Sequence, residues 1–153
     1  MRRLEYFTVC QSVSLDAMTG EISLFHVTHH RIVAATPTTI PLLCVVGSFI
    51  DDEISIDEQN AADDNAEVHV KLNVISPGGE PVNTFRRTLN SAGRSAPHRK
   101  TTSSSSSTPS SIENTLFRVT NIPIPHAGDL VFELVVDDNP IAKHTVSVHE
   151  KAT

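Results

Sequence analysis

The chain has 153 residues, of which 39% are hydrophobic and 5% aromatic, and its formal net charge is -6. This length suits one domain, and a domain of this size buries enough surface to fold without a metal or a disulfide. The negative charge disfavours general binding to nucleic acid or anionic membranes, because basic surfaces supply most of that affinity. The charge is uneven, however: residues 51–67 hold eight acidic and no basic side chains, whereas residues 86–100 hold five basic and no acidic ones.

The first third of the chain predicts two strands. Residues 4–10 form an apolar run that ends at the polar stretch 11–20, and residues 21–34 are typical of one long second strand. The alternation in that second strand changes phase, since Phe25 and Val27 share one phase while Ile32 and Ala34 share the other. A β-bulge at residues 28–30 would absorb the change of phase.

A buried central strand follows. Residues 36–41 contain two prolines and predict a loop, after which residues 42–50 (LLCVVGSFI) are apolar on both faces. A short apolar run of this kind indicates a strand that is covered on both sides. Residues 51–66 are polar and lack a sustained amphipathic period, so they predict an acidic loop.

Residues 67–87 carry the clearest pattern. Apolar and polar side chains alternate strictly from Glu67 to Val74, a Pro-Gly-Gly turn follows at residues 77–79, and residues 82–87 are again typical of a strand. This pattern predicts an antiparallel hairpin with one solvent-exposed face. Residues 90–113 are then rich in serine and cannot bury enough apolar surface to offset the entropy of ordering, so they predict a mobile loop.

The last third predicts three more strand segments. Strand character resumes at residues 116–119, a proline-rich connection follows at residues 121–128, and residues 130–136 (LVFELVV) form a strong strand. Residues 137–140 (DDNP) have the composition of a tight turn. Residues 141–148 then close the fold, with Ala142, Val146 and Val148 expected to face inward.

These elements together predict an all-β fold: an antiparallel two-sheet β-sandwich of about eight strands, Greek-key/immunoglobulin-like or C2-like, formed by residues 1–153 as one domain. If every connection reverses the chain, the loops at residues 11–20, 51–66, 90–113 and 137–140 share one end. That end, where acidic and basic segments would be neighbours, is the first candidate for a functional surface.

Three segments resemble a known family: residues 19–27 (TGEISLFHV), 117–125 (FRVTNIPIP) and 128–140 (GDLVFELVVDDNP). They are similar to a bacterial family of small uncharacterised proteins, a domain of unknown function, with a TGK-L-S-L step and a late G-x-Y-x-F-E-L-x-x-D-G hairpin. The chain departs from this pattern at Leu130 and Asn139-Pro140, and the serine-rich stretch resembles an insertion. The resemblance implies a compact Greek-key-like sandwich and carries over no catalytic residue.

Two groups of side chains invite a metal hypothesis. His26, His29 and His30 form an H-x-x-H-H cluster of imidazoles, but a regular strand points His29 away from the other two, which favours half-exposed strand residues. The acidic loop could bind calcium together with Asp137 and Asp138, as in C2-type sandwiches. No EF-hand spacing is present, and a solvated loop or a contact with the basic segment are the alternatives.

The two cysteines, Cys10 and Cys44, lie in apolar runs, which predicts buried free thiols in a reducing compartment; a bridge between neighbouring strands is the alternative. Met1-Arg2-Arg3 begins no recognisable signal peptide, so we expect a cytoplasmic protein. Arg99-Lys100 before Thr101 resembles a basic-directed phosphorylation site, although an ordinary serine-rich linker has the same composition.

No motif for covalent or phosphoryl chemistry is present, and we assign no catalytic, cofactor-binding or metal-binding residue and no cofactor. The sequence therefore favours a non-enzymatic interaction or structural module. Its expected partner is another protein, bound through a sheet edge or the charged loop end, with no role for nucleic acid or membrane. The alternative is a sandwich that binds calcium or a small molecule at the acidic loop, and an unrecognised hydrolase is a third hypothesis. The oligomeric state stays open.

Overall fold

The computed structural model describes residues 2–19, 21–28, 31–51, 67–90 and 111–152, and in these ranges all regular structure is β-strand. The strands are β1 (Arg2–Leu15), β2 (Ile22–Val27), β3 (Arg31–Ala34), β4 (Thr38–Asp51), β5 (Glu67–Ile75), β6 (Pro81–Asn90), β7 (Ser111–Ile124), β8 (Gly128–Val136) and β9 (Asn139–Glu150). Sheet A has the order β2-β1-β4-β7, and sheet B has the order β3-β9-β8-β5-β6. The predicted all-β, two-sheet architecture is confirmed, although the described residues form nine strands where about eight were predicted.

One hydrophobic core holds the two sheets together. It takes buried side chains from both sheets, and Phe132, Leu72 and Ile122 are among the largest that are fully buried. Full burial of one such side chain stabilises the folded state by about 1.5–3 kcal/mol. The alternating positions of each strand therefore supply most of the favourable free energy of folding.

The predicted hairpin of residues 67–87 is confirmed as β5 and β6. Val70, Leu72 and Val74 are buried on one face of β5, and the strand pairs antiparallel with β6 from Glu67↔Asn90 onward. At the turn, Gly78 and Gly79 have φ angles of 112° and 86°, which only glycine adopts without strain. The two glycines are thus required by the backbone geometry of this turn.

The expected central strand is confirmed as well. β4 lies between β1 and β7, and every residue from Leu43 to Phe49 is buried. Leu43, Val45 and Phe49 face the main core, whereas Cys44 and Val46 belong to a second apolar cluster. That second cluster lies on the opposite face of sheet A, because successive side chains of a strand alternate between faces.

Two strand boundaries differ from the sequence interpretation because proline proved compatible with strand structure. β4 includes Pro41, and β7 continues through Pro123, so residues 38–41 and 121–124 are strand and not loop. β7 is an edge strand, where a missing backbone N–H is tolerated. Opposite Pro41, Asn121 has φ 54°, which marks a local irregularity in the pairing.

The prediction of one long second strand with a bulge was wrong. Residues 21–34 form two short strands: β2 pairs with β1 in sheet A, and β3 pairs with β9 in sheet B. The chain changes sheet and direction between them, which explains the change of phase without a bulge. Because β3 runs parallel to β9, sheet B is mixed and the all-antiparallel prediction is also wrong.

This extra reversal moves one predicted loop. β1 extends to Leu15 and pairs with β2, so residues 11–15 are strand and the turn that follows lies at the opposite end from Asp51. Asp16 Oδ1 accepts hydrogen bonds from the backbone N–H groups of Met18 and Thr19 there, at 2.7 and 3.1 Å. These two bonds lower the pKa of Asp16, because they favour its charged form.

The remaining connections define two ends of the fold. At the first, which we call the charged end, Asp51 pairs with Ser111 and Glu67 pairs with Asn90, beside the turn at Asp137 and Asp138. The flanks of the predicted acidic and serine-rich loops therefore do meet at one end, although residues 52–66 and 91–110 lie outside the described residues and the flanking residues 90 and 111–113 are strand. At the proline end lie the turns that contain Pro37, Pro77 and Pro125.

No helix in the described ranges has the length and apolar character needed to cross a membrane.

Candidate interaction groove

The predicted histidine cluster does not assemble within the described residues. His26 is exposed with φ 53°, two residues before the chain leaves sheet A, and His29 and His30 lie outside the ranges that the structure describes. In those ranges, no group of three or more histidine, cysteine or acidic side chains is placed to hold a metal ion. The metal hypothesis thus gains no geometric support from His26.

The Asp137–Asp138 turn is structural. The two residues have φ 46° and 64°, as the central pair of a two-residue hairpin turn requires. Asp137 Oδ1 accepts a hydrogen bond from the His69 N–H at 2.9 Å, and the Asp137 N–H donates to the His69 carbonyl at 2.9 Å. One oxygen proposed for calcium is therefore already occupied in tying the turn to β5.

The cysteines are free and buried, as predicted. Cys10 and Cys44 are opposite each other in the β1–β4 register, in the second apolar cluster. Burial and the neighbouring Cys44 raise the pKa of Cys10 to about 11, and burial also raises the pKa of Cys44, although the Arg118 guanidinium opposes that rise. Both thiols are therefore neutral at physiological pH, which disfavours nucleophilic chemistry.

A groove lies where the edges of the two sheets meet. β6 is an edge strand of sheet B, β7 is an edge strand of sheet A, and they lie on the same side of the fold. We call this the open side. The groove has a volume of about 520 Å³ and is lined by Phe85, Arg86, Arg87, Leu116, Phe117 and Arg118.

The floor of the groove is aromatic. The rings of Phe85 and Phe117 have centroids 6.4 Å apart at an interplanar angle of 59°, within the range for favourable tilted ring pairs. Phe117 is 2% exposed and belongs to the main core. The guanidinium carbon of Arg87 lies 5.7 Å from the centroid of Phe117, which is a cation–π contact.

The rim of the groove is basic, and strand register explains how. Arg87 is opposite Val70, a core residue, so it lies on the inner face of β6; Arg86 is opposite Lys71 and lies on the outer face. Arg118 is opposite Cys44, which places it on the outer face of β7. All three arginines are exposed, and all three line one partly apolar groove.

A second pocket, of about 370 Å³, opens at the proline end between Pro37, Ser76, Pro81 and Pro123. Glu80 is the one ionisable residue in its lining, so this pocket has fewer charged groups than the groove on the open side.

The sequence interpretation missed this groove as a unit. Arg86 and Arg87 were assigned to the basic segment, and Arg118 to no candidate site. The available signal was a pair of similar triplets, Phe-Arg-Arg at residues 85–87 and Leu-Phe-Arg at residues 116–118, each in a strand. Alternation predicts opposite faces within each triplet, but only the packing of β6 beside β7 brings the two triplets together.

Comparison with curated proteins gave no match. A family model, described as a family of unknown function (DUF6941), matches residues 5–149, which includes every strand except the ends of β1 and β9. The three segments on which the sequence resemblance rested lie inside this match. The chain therefore belongs to the DUF6941 family of unknown function.

Proposed function

We propose that the protein is a non-enzymatic interaction module that binds an extended segment of another protein along the open side. One observation carries this proposal: two long edge strands, β6 and β7, flank one groove with an aromatic floor. Extended peptides bind sheet edges because their backbone groups pair with the unpaired N–H and C=O groups of the edge strand.

β7 is the better of the two edges for such pairing. It has 14 residues, and among the described strands it pairs with β4 alone. Residues 111–120 contain no proline, so this stretch has a backbone N–H at every position. An edge of this length is normally shortened, bent or covered, because a free edge invites pairing with another chain.

A peptide selection tests the proposal. Random dodecapeptides displayed on phage would be selected on the immobilised full chain, and the enriched peptides would be synthesised. We expect them to protect backbone amides of β7 from hydrogen exchange more strongly than amides of β2 or β3. Enriched peptides that protect only β2 or β3, or a selection that enriches none, would contradict the proposal.

A matched pair of photo-crosslinking variants locates the bound peptide. Asn114 on β7 and Ser23 on β2 are both exposed strand residues, so each can carry a benzophenone side chain without disturbing the core. Crosslinking from position 114 and not from position 23 is the expected result. The reverse pattern would place the binding edge on the other side of the fold.

A bacterial origin and a cytoplasmic location belong to the same proposal. The family resemblance supports the first, and two buried free thiols support the second, because disulfides are rare in reducing compartments. Fractionation of the native host cells tests the location: recovery in a secreted or periplasmic fraction would contradict it.

A further inference from the structure

We infer that the segment bound on the open side is acidic: a partner strand with carboxylates on both faces, held by Arg87 and Arg118. Recognition of an acidic segment presupposes the proposed function, because it concerns the same groove. The arginines at the rim of the groove support this inference. Guanidinium groups bind carboxylates through paired, charge-assisted hydrogen bonds, which are stronger than hydrogen bonds between neutral groups.

The placement of Arg87 and Arg118 suits a strand better than a single anion. Arg87 lies on the inner face of β6, whereas Arg118 lies on the outer face of β7. A strand added to β7 would present successive side chains to opposite faces, as every β-strand does. Carboxylates on its outer face would meet Arg118, and carboxylates on its inner face would meet Arg87.

The side chain of Arg87 is positioned before a ligand binds. Its guanidinium lies over the Phe117 ring, so its position is fixed in part before a ligand arrives. This contact is an attraction between the positive charge and the face of the ring, so it leaves N–H donors of the guanidinium for a ligand. A preorganised donor loses less side-chain entropy on binding than a mobile one.

Nucleic acid is the competing anionic ligand, and the position of the groove disfavours it. The groove runs between two strand edges, whose backbone N–H and C=O groups match an extended polypeptide and not a sugar-phosphate chain.

Three synthetic dodecapeptides test the inference on the full chain. Each repeats two valines followed by two copies of one other residue, which is glutamate, glutamine or lysine, so that this residue lies on both faces of the strand. Each carries a fluorophore for anisotropy. We expect the glutamate peptide to bind at least tenfold more tightly than the glutamine peptide, and its affinity to fall as salt rises, because salt screens exposed charges. The lysine peptide should bind most weakly of the three.

Single substitutions assign the effect to the groove. Arg118→Gln and Arg87→Gln should each weaken binding of the glutamate peptide by about fivefold, the usual scale for one exposed ion pair. Lys143→Gln changes the same charge at an exposed position of β9, outside the groove, and should leave binding unchanged. Because Arg118 is exposed on the outer face of an edge strand, its variant should fold even if the Arg87 variant does not.

Equal binding of the glutamate and glutamine peptides would overturn the inference and leave the proposed function standing, because it would show that charge is not selected. Two further outcomes would overturn both. Tighter binding of a twelve-nucleotide oligothymidine would identify a nucleic-acid site. Binding of the glutamate peptide only after residues 52–66 had their carboxylates changed to amides would identify the chain's own acidic segment as the ligand. The proposed function fails separately, if no random peptide binds at β7.

Discussion

The two sides of the fold are closed in different ways. On one side, which we call the closed side, the chain itself passes from β2 in sheet A to β3 in sheet B. The Thr28 N–H donates to the Val9 carbonyl at 2.8 Å, and the Thr28 carbonyl accepts a hydrogen bond from His144 Nε2 at 2.9 Å. A single residue thus links β1 of one sheet to β9 of the other.

On the open side, the contacts between the sheets within the described residues are made by side chains. Phe85 and Arg87 of β6 contact Phe117 of β7, and the connections that leave these strands at the charged end lie outside the described residues. Within the described residues, the difference is that backbone groups of Thr28 take part in the link between the sheets on the closed side, whereas aromatic and cation–π contacts link them on the open side. The proposed binding on the open side depends on that asymmetry.

The largest test of this comparison removes the aromatic floor. Phe117→Ala should lower the free energy of unfolding by about 3–5 kcal/mol, the usual cost of truncating a buried phenylalanine, because Phe117 joins the main core to the groove. Urea unfolding measures the change. Phe25→Ala on β2 is the matched control, since Phe25 is 47% exposed and should cost less than about 1 kcal/mol. Equal costs would contradict the picture of an open side held by side chains.

The closed side should also protect the thiols. Cys10 packs in a cluster with Val13, Leu24 and Val27 of the β1–β2 hairpin, and its pKa is raised to about 11 from an ordinary value of 9.0. At pH 8 the thiolate fraction is then lower by roughly 100-fold, and iodoacetamide should react more slowly by at least that factor than in urea. Alkylation at the same rate with and without urea would show that the hairpin does not cover Cys10.

The raised pKa of Cys10 also makes the free energy of unfolding depend on pH. The pKa of Cys10 is raised in the folded protein, so folding favours the neutral thiol. This contribution is fully present below about pH 9 and is lost as the pH rises through about 11. Urea unfolding midpoints measured between these values in a reducing buffer should fall more steeply for the natural chain than for Cys10→Ala.

The next effect on stability is expected from the hydrogen bond between His144 and Thr28, where the chain crosses from sheet A to sheet B. His144→Phe keeps an aromatic ring but leaves the Thr28 carbonyl without its donor, which should cost about 0.5–1.5 kcal/mol. Exchange of the Thr28 amide should also quicken, because the crossing opens more often. His149→Phe is the control, since His149 is an exposed residue of the same strand. Loss of stability in the control alone would argue against a closing role for His144.

The smallest effect is expected at Arg87. Arg87→Gln removes an exposed cation–π contact worth about 0.5–1 kcal/mol, so stability should fall slightly. Arg86→Gln, on the outer face of β6, should be neutral within measurement. A loss above about 2 kcal/mol at Arg87 would show that this side chain is part of the scaffold and not free to bind a partner.

Most strands could be predicted from the sequence, because alternation records which face of a strand is buried. The hairpin β5–β6, the central strand β4 and the inward residues of β9 were all read in this way. The errors arose where a local pattern has two explanations: the change of phase between Phe25 and Ile32 fits either a bulge or a change of sheet. A further error was the assignment of residues 121–124 to a loop. Their proline is tolerated because β7 is an edge strand, and the position of a strand at the edge of a sheet cannot be seen in the local sequence.

The sequence by itself determined that this protein is all-β, where its hairpins turn, and which side chains fill its core. Those properties follow from local alternation and from turn composition, which act between near neighbours in the chain. The tertiary structure alone decided that residues 21–34 are shared between two sheets and that Phe85 and Arg87 meet Phe117 at one groove. The physical reason is that strand pairing depends on which edges meet in space, and alternation specifies a buried face without specifying the neighbouring strand.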